Sequence, residues 1–348
     1  MTRARTDELP RRPISRRTRR LLYGSTIVLL CVLIVASLVS SSPWPSALVI
    51  RSVFEKGAAD TVAEMKPYVP TSGIAAKTGI RYASGSPDTT LDVFRPDTGN
   101  APLPTVVWVH GGAWISGAAS NVDPYLRILA GHGYTTVGLN YTVGPEATYP
   151  TAVHQLNDAL AYLDANAADL GIDRTQIILA GDSAGAQLAS QLAALTTNPE
   201  YSHLLGIAPA LDPSQLSGMI LNCGVYDLDA LADLTGIAAW GFKTALWSYT
   251  GTKEWSQTYV GNTMSTIRHV TADFPPTYIS GGNGDGLTWT ESVPMAAALK
   301  AEGVDVTELF WPAPHEPKLP HEYQFHLNFP EARQALTATI DFLNAHTH

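Results

Sequence analysis

Apolar and polar positions along the chain fall into three patterns. From Leu21 to Val39 (LLYGSTIVLLCVLIVASLV) no residue is charged, and no charge reappears before Arg51. A helix of that length crosses a hydrocarbon core of about 30 Å, so the segment is expected to be a membrane helix or a signal sequence. Residues 43–72 hold Pro43, Pro45, Pro67 and Pro70 around Val53, Phe54, Ala58, Val62 and Met65, which recur near helical spacing and predict a juxtamembrane helix. Beyond residue 73 short apolar runs alternate with longer periodic ones. Strands are predicted at 76–82, 90–95, 104–109, 134–140, 176–181, 217–223, 275–281 and 304–311, and helices near 122–131, 152–168, 184–196, 290–302 and 330–345. That rhythm predicts the α/β class, with a mostly parallel sheet covered on both faces.

One stretch breaks the rhythm. Residues 226–273 separate two predicted strands and carry Trp240, Phe242, Trp247, Tyr249 and Trp255. So long and aromatic an excursion is expected to form a helical cap over a pocket, although the rings would also serve as its own small core.

Charge adds a topology. Eight arginines stand within residues 1–20 against only Asp7 and Glu8, while the rest of the chain has 14 Lys/Arg against 29 Asp/Glu. The positive-inside bias keeps the basic segment in the cytoplasm and places everything after the apolar run outside it. Cleavage after Ser41 is the competing expectation, with a secreted product; Pro43 and the length of the apolar run favour an anchor over residues 21–42. The acidic body excludes nucleic acid as a natural partner. Cys31 lies in the apolar run and Cys223 in a predicted strand, so no disulfide within the body is expected.

The segment TQIILAGDSAGAQLASQLAAL predicts a buried strand, a tight turn and a helix, with Gly181, Ser183 and Gly185 forming G-x-S-x-G at the turn. Glycines two before and two after the serine let strand and helix approach while Ser183 sits on a strained turn. About 70 residues upstream, TVVWVHGGAW puts His110, Gly111 and Gly112 directly after a strand. Small residues there leave backbone N–H groups free to meet a developing oxyanion, with Ala184 N–H as a further donor. His110 is expected to hold this loop by hydrogen bonding, and Trp114 either to line a pocket or to pack beneath the loop.

HGGAW, NYTVGPEATYPTAV, GDSAGAQLA and a late Asp-x-Leu together resemble the α/β-hydrolase esterases of the hormone-sensitive-lipase-like group over roughly residues 75–345. The resemblance implies an α/β-hydrolase fold, a serine nucleophile at Ser183, an HGG oxyanion loop, and an acid and a histidine following in that order. Thr142 stands where the group commonly has arginine.

A serine hydroxyl needs a histidine base and an acid that orients it. Asp285 follows a predicted strand in GNGDGLT, in the loop position where open α/β sheets gather catalytic groups, and with Leu287 it matches Asp-x-Leu; Glu291 is a weaker substitute. His315, His321 and His326 compete for the base. His321, two residues before Tyr323, resembles the group's His-x-Phe and is preferred. The same stretch crowds His315, Glu316, His321, Glu322 and His326 together, but it lacks the His-Glu-x-x-His spacing that puts two imidazoles on one helix face, so no metal is expected.

These expectations join into one: a membrane-anchored serine hydrolase of carboxylic esters of short to medium acyl chain, with its catalytic domain (73–348) outside the cytoplasm. Its catalytic residues are Ser183, Asp285 and His321, its oxyanion donors Gly111, Gly112 and Ala184, and its substrate contacts Trp114, Trp240 and Trp247. The implied partners are a small ester and a membrane, with no cofactor. Amide hydrolysis on the same groups, or a binding ectodomain that keeps the pocket without the chemistry, are the rival expectations.

Overall fold

The computed structural model describes residues 15–99 and 101–347, so most of the basic segment 1–20, including Arg3, Arg5, Arg11 and Arg12, lies outside the described residues. The chain divides into two units, Met1–Pro45 and Ser46–His348. The first holds helix α1 (Arg16–Ser41), whose 23 residues from Arg19 to Ser41 are long and apolar enough to cross a membrane. From Leu21 to Leu38 its Leu, Ile and Val side chains are exposed.

Helix α2 (Trp44–Met65) leads into the second unit, followed by strands β1 (Ile74–Arg81), β2 (Thr90–Pro96) and β3 (Leu103–Val109). Next come α3 (Asp123–Gly131), β4 (Thr135–Leu139), α4 (Thr151–Ala165), α5 (Ala167–Leu170), β5 (Ile172–Asp182), α6 (Ala184–Thr197), α7 (Pro199–Leu205) and β6 (Leu216–Asn222). The excursion that follows carries α8 (Leu228–Ala232), α9 (Gly236–Thr250) and α10 (Tyr259–Met264). The chain then runs through β7 (Thr277–Gly281), α11 (Val293–Ala301), β8 (Val306–Phe310) and α12 (Pro330–His346).

The strands form a single eight-stranded sheet in the order β1-β2-β4-β3-β5-β6-β7-β8. The pairs β1–β2 and β2–β4 are antiparallel and the others parallel. Alternation along the strands divides the core in two. Val107, Val109, Leu179 and Leu221 point to the face covered by α4, α6 and α11, while Val106, Trp108, Ile178 and Ile220 point to the face covered by α3 and α12. Each such aliphatic side chain, fully buried, stabilises the fold by about 1.5–3 kcal/mol. This is the mostly parallel, doubly covered sheet of an α/β-hydrolase core.

Two predicted helices differ in detail. The pattern over 152–168 breaks at Asn166 into α4 and α5, and that over 290–302 begins as a π-helical turn, Thr288–Ser292, before α11. The parallel direction of β3, β5, β6, β7 and β8 brings their C-terminal ends to one edge of the sheet, where the loops carrying polar chemistry meet.

Candidate active site

Strand β5 ends at Asp182 and α6 begins at Ala184, leaving Ser183 alone at the turn with φ 53° and ψ −123°, a conformation that side chains other than glycine's rarely adopt. The turn is held tight by its neighbours: Ser183 N–H donates to Asn222 O at 2.9 Å. A Cβ on Gly185 would lie 2.1 Å from Val109 O, and one on Gly181 2.5 Å from the Gly185 carbonyl carbon. Glycine is therefore required where the helix crosses the strand ends.

Ser183 Oγ lies 2.9 Å from His321 Nε2, and His321 Nδ1 lies 2.7 Å from Asp285 Oδ2. The three residues come from the loops after β5, β7 and β8. Asp285 sits in a buried turn where its Oδ1 accepts Leu287 N–H at 3.0 Å. The loop of His321 is laced to that turn: Gly284 N–H donates to Leu319 O at 2.9 Å, and Leu319 N–H donates to Asn283 Oδ1 at 2.9 Å. Asn283 Nδ2 also donates to His315 O at 2.7 Å. With a carboxylate as its partner, Nδ1 carries the hydrogen and Nε2 presents a lone pair to the serine hydroxyl. Burial works against a charged imidazole, but the Asp285 carboxylate hydrogen-bonded to Nδ1 works the other way, and the imidazole's proton affinity is raised above the ordinary range.

The other sequence candidates lie elsewhere. His315 Nε2 pairs with Glu331 at 2.9 Å, and His326 Nδ1 with Glu64 at 2.7 Å. Glu291 is buried and turned toward the start of the excursion, its Oε2 accepting Tyr226 N–H at 2.7 Å and Asp227 N–H at 2.8 Å. Burial pushes its carboxyl up to about 8. Among the described residues, Cys223, Asp285 and His321 bring three potential metal donors within 4.8 Å of one another; the crowded acidic and histidine stretch of residues 315–326 does not.

The loop after β3 has left-handed backbone at three successive residues, Gly112 (φ 108°), Ala113 (φ 51°) and Trp114 (φ 60°). His110 is buried, its Nδ1–H donating to Gly111 O at 2.8 Å and its ring stacked on Tyr141 at 4.4 Å. Burial pushes its imidazole down to about 4, so it is neutral and fixes the loop. Trp114 is fully buried beneath the loop, donating Nε1–H to Gln187 Oε1 at 2.9 Å and stacking on Tyr249 of α9. Trp240 of α9 is half exposed, and Lys253 stands 4.2 Å above the ring of Trp247.

Gly111 departs from expectation. Its N–H is already spent, donating to Asp182 Oδ2 at 2.9 Å, and is not free to meet an oxyanion. Three further residues at the site are given no part in its chemistry by the sequence. Asp182 lies inside the serine motif itself. Glu322 follows His321, and Cys223 directly follows β6 with φ 44°, buried beside that histidine.

Comparisons with known proteins agree with this geometry. Residues 91–299 match the BD-FAE family model. The chain is 30% identical over 258 residues to Carboxylesterase NlhH of Mycobacterium tuberculosis, an alignment that spans 72% of this chain and 76% of that protein. Among solved structures, esterase B from Lactobacillus rhamnosis superposes with a TM-score of 0.74 at 25% identity, covering 86% of this chain and 95% of that one. The same enzyme inhibited by a C4-C4 SN3 tributyrin phosphonate gives 0.72 at 25% identity, over 86% and 96% of the two chains. An esterase from Pyrobaculum calidifontis shares the fold, with a TM-score of 0.67 at 22% identity over 90% of this chain and 96% of that one.

Proposed function

The chain belongs to the BD-FAE family, with the α/β-hydrolase fold of esterases, and from that premise we propose a membrane-anchored serine hydrolase that cleaves carboxylic esters through an acyl-enzyme on Ser183. The hydrogen-bonded series Ser183 Oγ, His321 and Asp285, at 2.9 and 2.7 Å, carries this reading. In the proposed cycle Ser183 Oγ attacks the ester carbonyl as His321 Nε2 takes its proton, and Asp285 stabilises the imidazolium at Nδ1. The proton passes to the departing alkoxide, the C–O bond breaks, and the acyl group stays on Ser183. Water then attacks the acyl-enzyme, giving a proton to Nε2, and the tetrahedral intermediate collapses to the acid as Nε2 returns that proton to the departing Ser183 Oγ. With Gly111 N–H committed to Asp182, the oxyanion falls to the N–H groups of Gly112, Ala113 and Ala184.

The finer parts of the proposal rest on the sequence. HGGAW and GDSAGAQLA support the hormone-sensitive-lipase-like group, and the apolar helix α1 after eight arginines supports a single-pass anchor with an extracytoplasmic body. Residues 226–273 act as the cap in this proposal, with Trp240 and Trp247 toward substrate and Trp114 setting the floor through Tyr249. A solved relative takes a C4-C4 tributyrin phosphonate, and we assign short to medium acyl chains to this chain too.

The test is labelling of the full-length protein in membranes with a fluorophosphonate, followed by hydrolysis of p-nitrophenyl esters of increasing chain length and of matched amides. Adduct formation on Ser183 with ester turnover is the expected result. Turnover that survives full labelling, or no adduct, would overturn the proposal.

A further inference from the structure

The turn that presents the oxyanion donors has to be held in place. Gly112, Ala113 and Trp114 are left-handed in succession, and two of them carry side chains that disfavour such backbone, which persists only where the surroundings impose it. The turn closes on itself, since Gly112 O accepts Ile115 N–H at 3.1 Å and Ser116 N–H at 3.0 Å. A hold on Ile115 is therefore passed to Gly112 and Ala113. Two successive carbonyls at the end of the turn are held from outside: Trp114 O accepts Gly144 N–H at 2.7 Å, and Ile115 O accepts Arg51 Nε–H at 2.6 Å.

Arg51 belongs to α2, the helix between the apolar segment and the sheet. Its guanidinium also donates from Nη2 to Gly144 O at 2.8 Å and from Nη1 to Glu146 Oε1 at 2.7 Å, so one planar fork joins the turn to the segment that runs past it. The side chain is mostly buried, 17% exposed. Ala47 and Ile50, on the same helix, pack with Ala113 and Ile115 of the turn and with Ala245 of α9. Thr142, where the resembled group commonly has arginine, lines the same hollow as Arg51 and Glu146, so in this chain the arginine beside Glu146 comes from α2.

We propose that Arg51 is a positioning residue for the hydrolysis, fixing the N–H groups of Gly112 and Ala113 where the oxyanion forms, and that α2 is a working part of the catalytic body rather than a spacer before residue 73. The inference rests on the esterase reading above and names what holds the oxyanion side of that same site. The compact unit that contains the triad begins at Ser46, so it includes Ala47, Ile50 and Arg51. Arg51 also lies beyond Ser41, so the device serves an anchored chain and a cleaved one alike. Its effect falls on the chemical step, because the donors it places meet charge that develops only as the tetrahedral intermediate forms. The triad is left alone: none of the Arg51 bonds reaches Ser183, His321 or Asp285.

The experiment is steady-state hydrolysis of p-nitrophenyl butyrate across pH by the full-length protein, comparing wild type with Arg51→Ala and Arg51→Lys. Lys56→Ala, at an exposed position of the same helix, is the control. Thermal denaturation checks the fold of each, and fluorophosphonate labelling checks Ser183. Arg51→Ala should lower kcat by about 10- to 100-fold, with KM within about twofold and the rise of activity with His321 deprotonation at the same pH. Lysine keeps a charge beside Glu146 but cannot reproduce the fork, so Arg51→Lys should fold and still fall about tenfold in kcat. Lys56→Ala should match wild type. A folded Arg51→Ala variant within about threefold of wild type in kcat, a loss confined to KM, a shifted pH rise, Arg51→Lys at wild-type kcat, or Lys56→Ala as damaging as Arg51→Ala would each overturn the inference. The lysine variant alone carries the test if the alanine variant fails to fold. Absence of labelling on Ser183 in wild type would instead remove the esterase reading beneath it.

Discussion

Replacing Asp285 by Asn separates the charge of the third triad residue from its shape. Oδ1 accepts Leu287 N–H at 3.0 Å, so the asparagine must keep its carbonyl oxygen there and turn its NH₂ toward His321 Nδ1. That forces the imidazole into the opposite tautomer, with hydrogen on Nε2 facing Ser183 Oγ, where a lone pair is needed. The lost charge is a second effect. With Oδ2 and Nδ1 at 2.7 Å, the charge centres of carboxylate and imidazolium lie about 4 Å apart, worth about 4 kcal/mol at an effective dielectric of about 20, or roughly a thousandfold in rate. Wrong tautomer and missing charge together should lower kcat by about 10³–10⁴-fold, with KM little changed because no substrate contact is removed. The Leu287 bond survives, so thermal unfolding should move by only about 1 kcal/mol. Glu291 offers no rescue, since its Oε2 already accepts two backbone N–H groups. Steady-state hydrolysis of p-nitrophenyl butyrate, with thermal denaturation as control, makes the measurement. A folded Asp285→Asn variant within tenfold of wild type would refute the assignment of Asp285.

Ser183→Ala should fold normally and lose about 10⁶-fold in kcat, and His321→Ala should match it while His315→Ala, removed from the site with Glu331, keeps most activity; parallel assays of the three variants decide the base. Glu291, pushed up to about 8 by burial, stabilises the fold fully below its ordinary carboxyl range and loses that contribution as pH rises through about 8, so Glu291→Gln should flatten the fall of Tm between about pH 5 and pH 9; an unchanged fall would place the titration elsewhere. Gly185→Ala puts a Cβ 2.1 Å from Val109 O, so it should displace the end of β3 and cut labelling of Ser183 by fluorophosphonate even where the variant folds. If Trp247 faces substrate, Trp247→Ala should flatten a preference for longer acyl chains that otherwise grows about fourfold per buried methylene; an unchanged series from acetate to octanoate would remove α9 from the acyl pocket.

Strands and their helices were legible because their periods are strong and local. The runs ILAGD and TVVWV are buried on both faces of a parallel sheet, so they read as continuous apolar segments between glycine-bearing turns. Ser183, Asp285 and His321 were legible for a related reason: each follows a strand, and the parallel order puts those strand ends at one edge. The internal structure of residues 226–273 was not. Helix α9 (GIAAWGFKTALWSYT) shows little apolar periodicity, and it is positioned by distant partners such as Tyr249 on Trp114 and Tyr249 O accepting Tyr149 N–H at 2.7 Å. The π-helical turn after Asp285 likewise leaves no period in TWTES; it is set by Glu291 reaching back to the N–H groups of Tyr226 and Asp227.

The allocation of Gly111 N–H marks where local reasoning stops. A glycine after a strand in HGG is read from sequence as a free donor, because glycine lets an amide approach a ligand. Whether the amide stays free depends on a carboxylate 71 positions away in the chain, Asp182, whose position is fixed by the sheet pairing of Val109 with Gly181. Motif residues thus divide into two kinds. Ser183 is placed by its own turn, and its neighbours on either side predict it. Gly111 heads the HGG loop and Asp182 precedes the nucleophile, yet what they do depends on each other, and only the pairing of β3 with β5 brings them together.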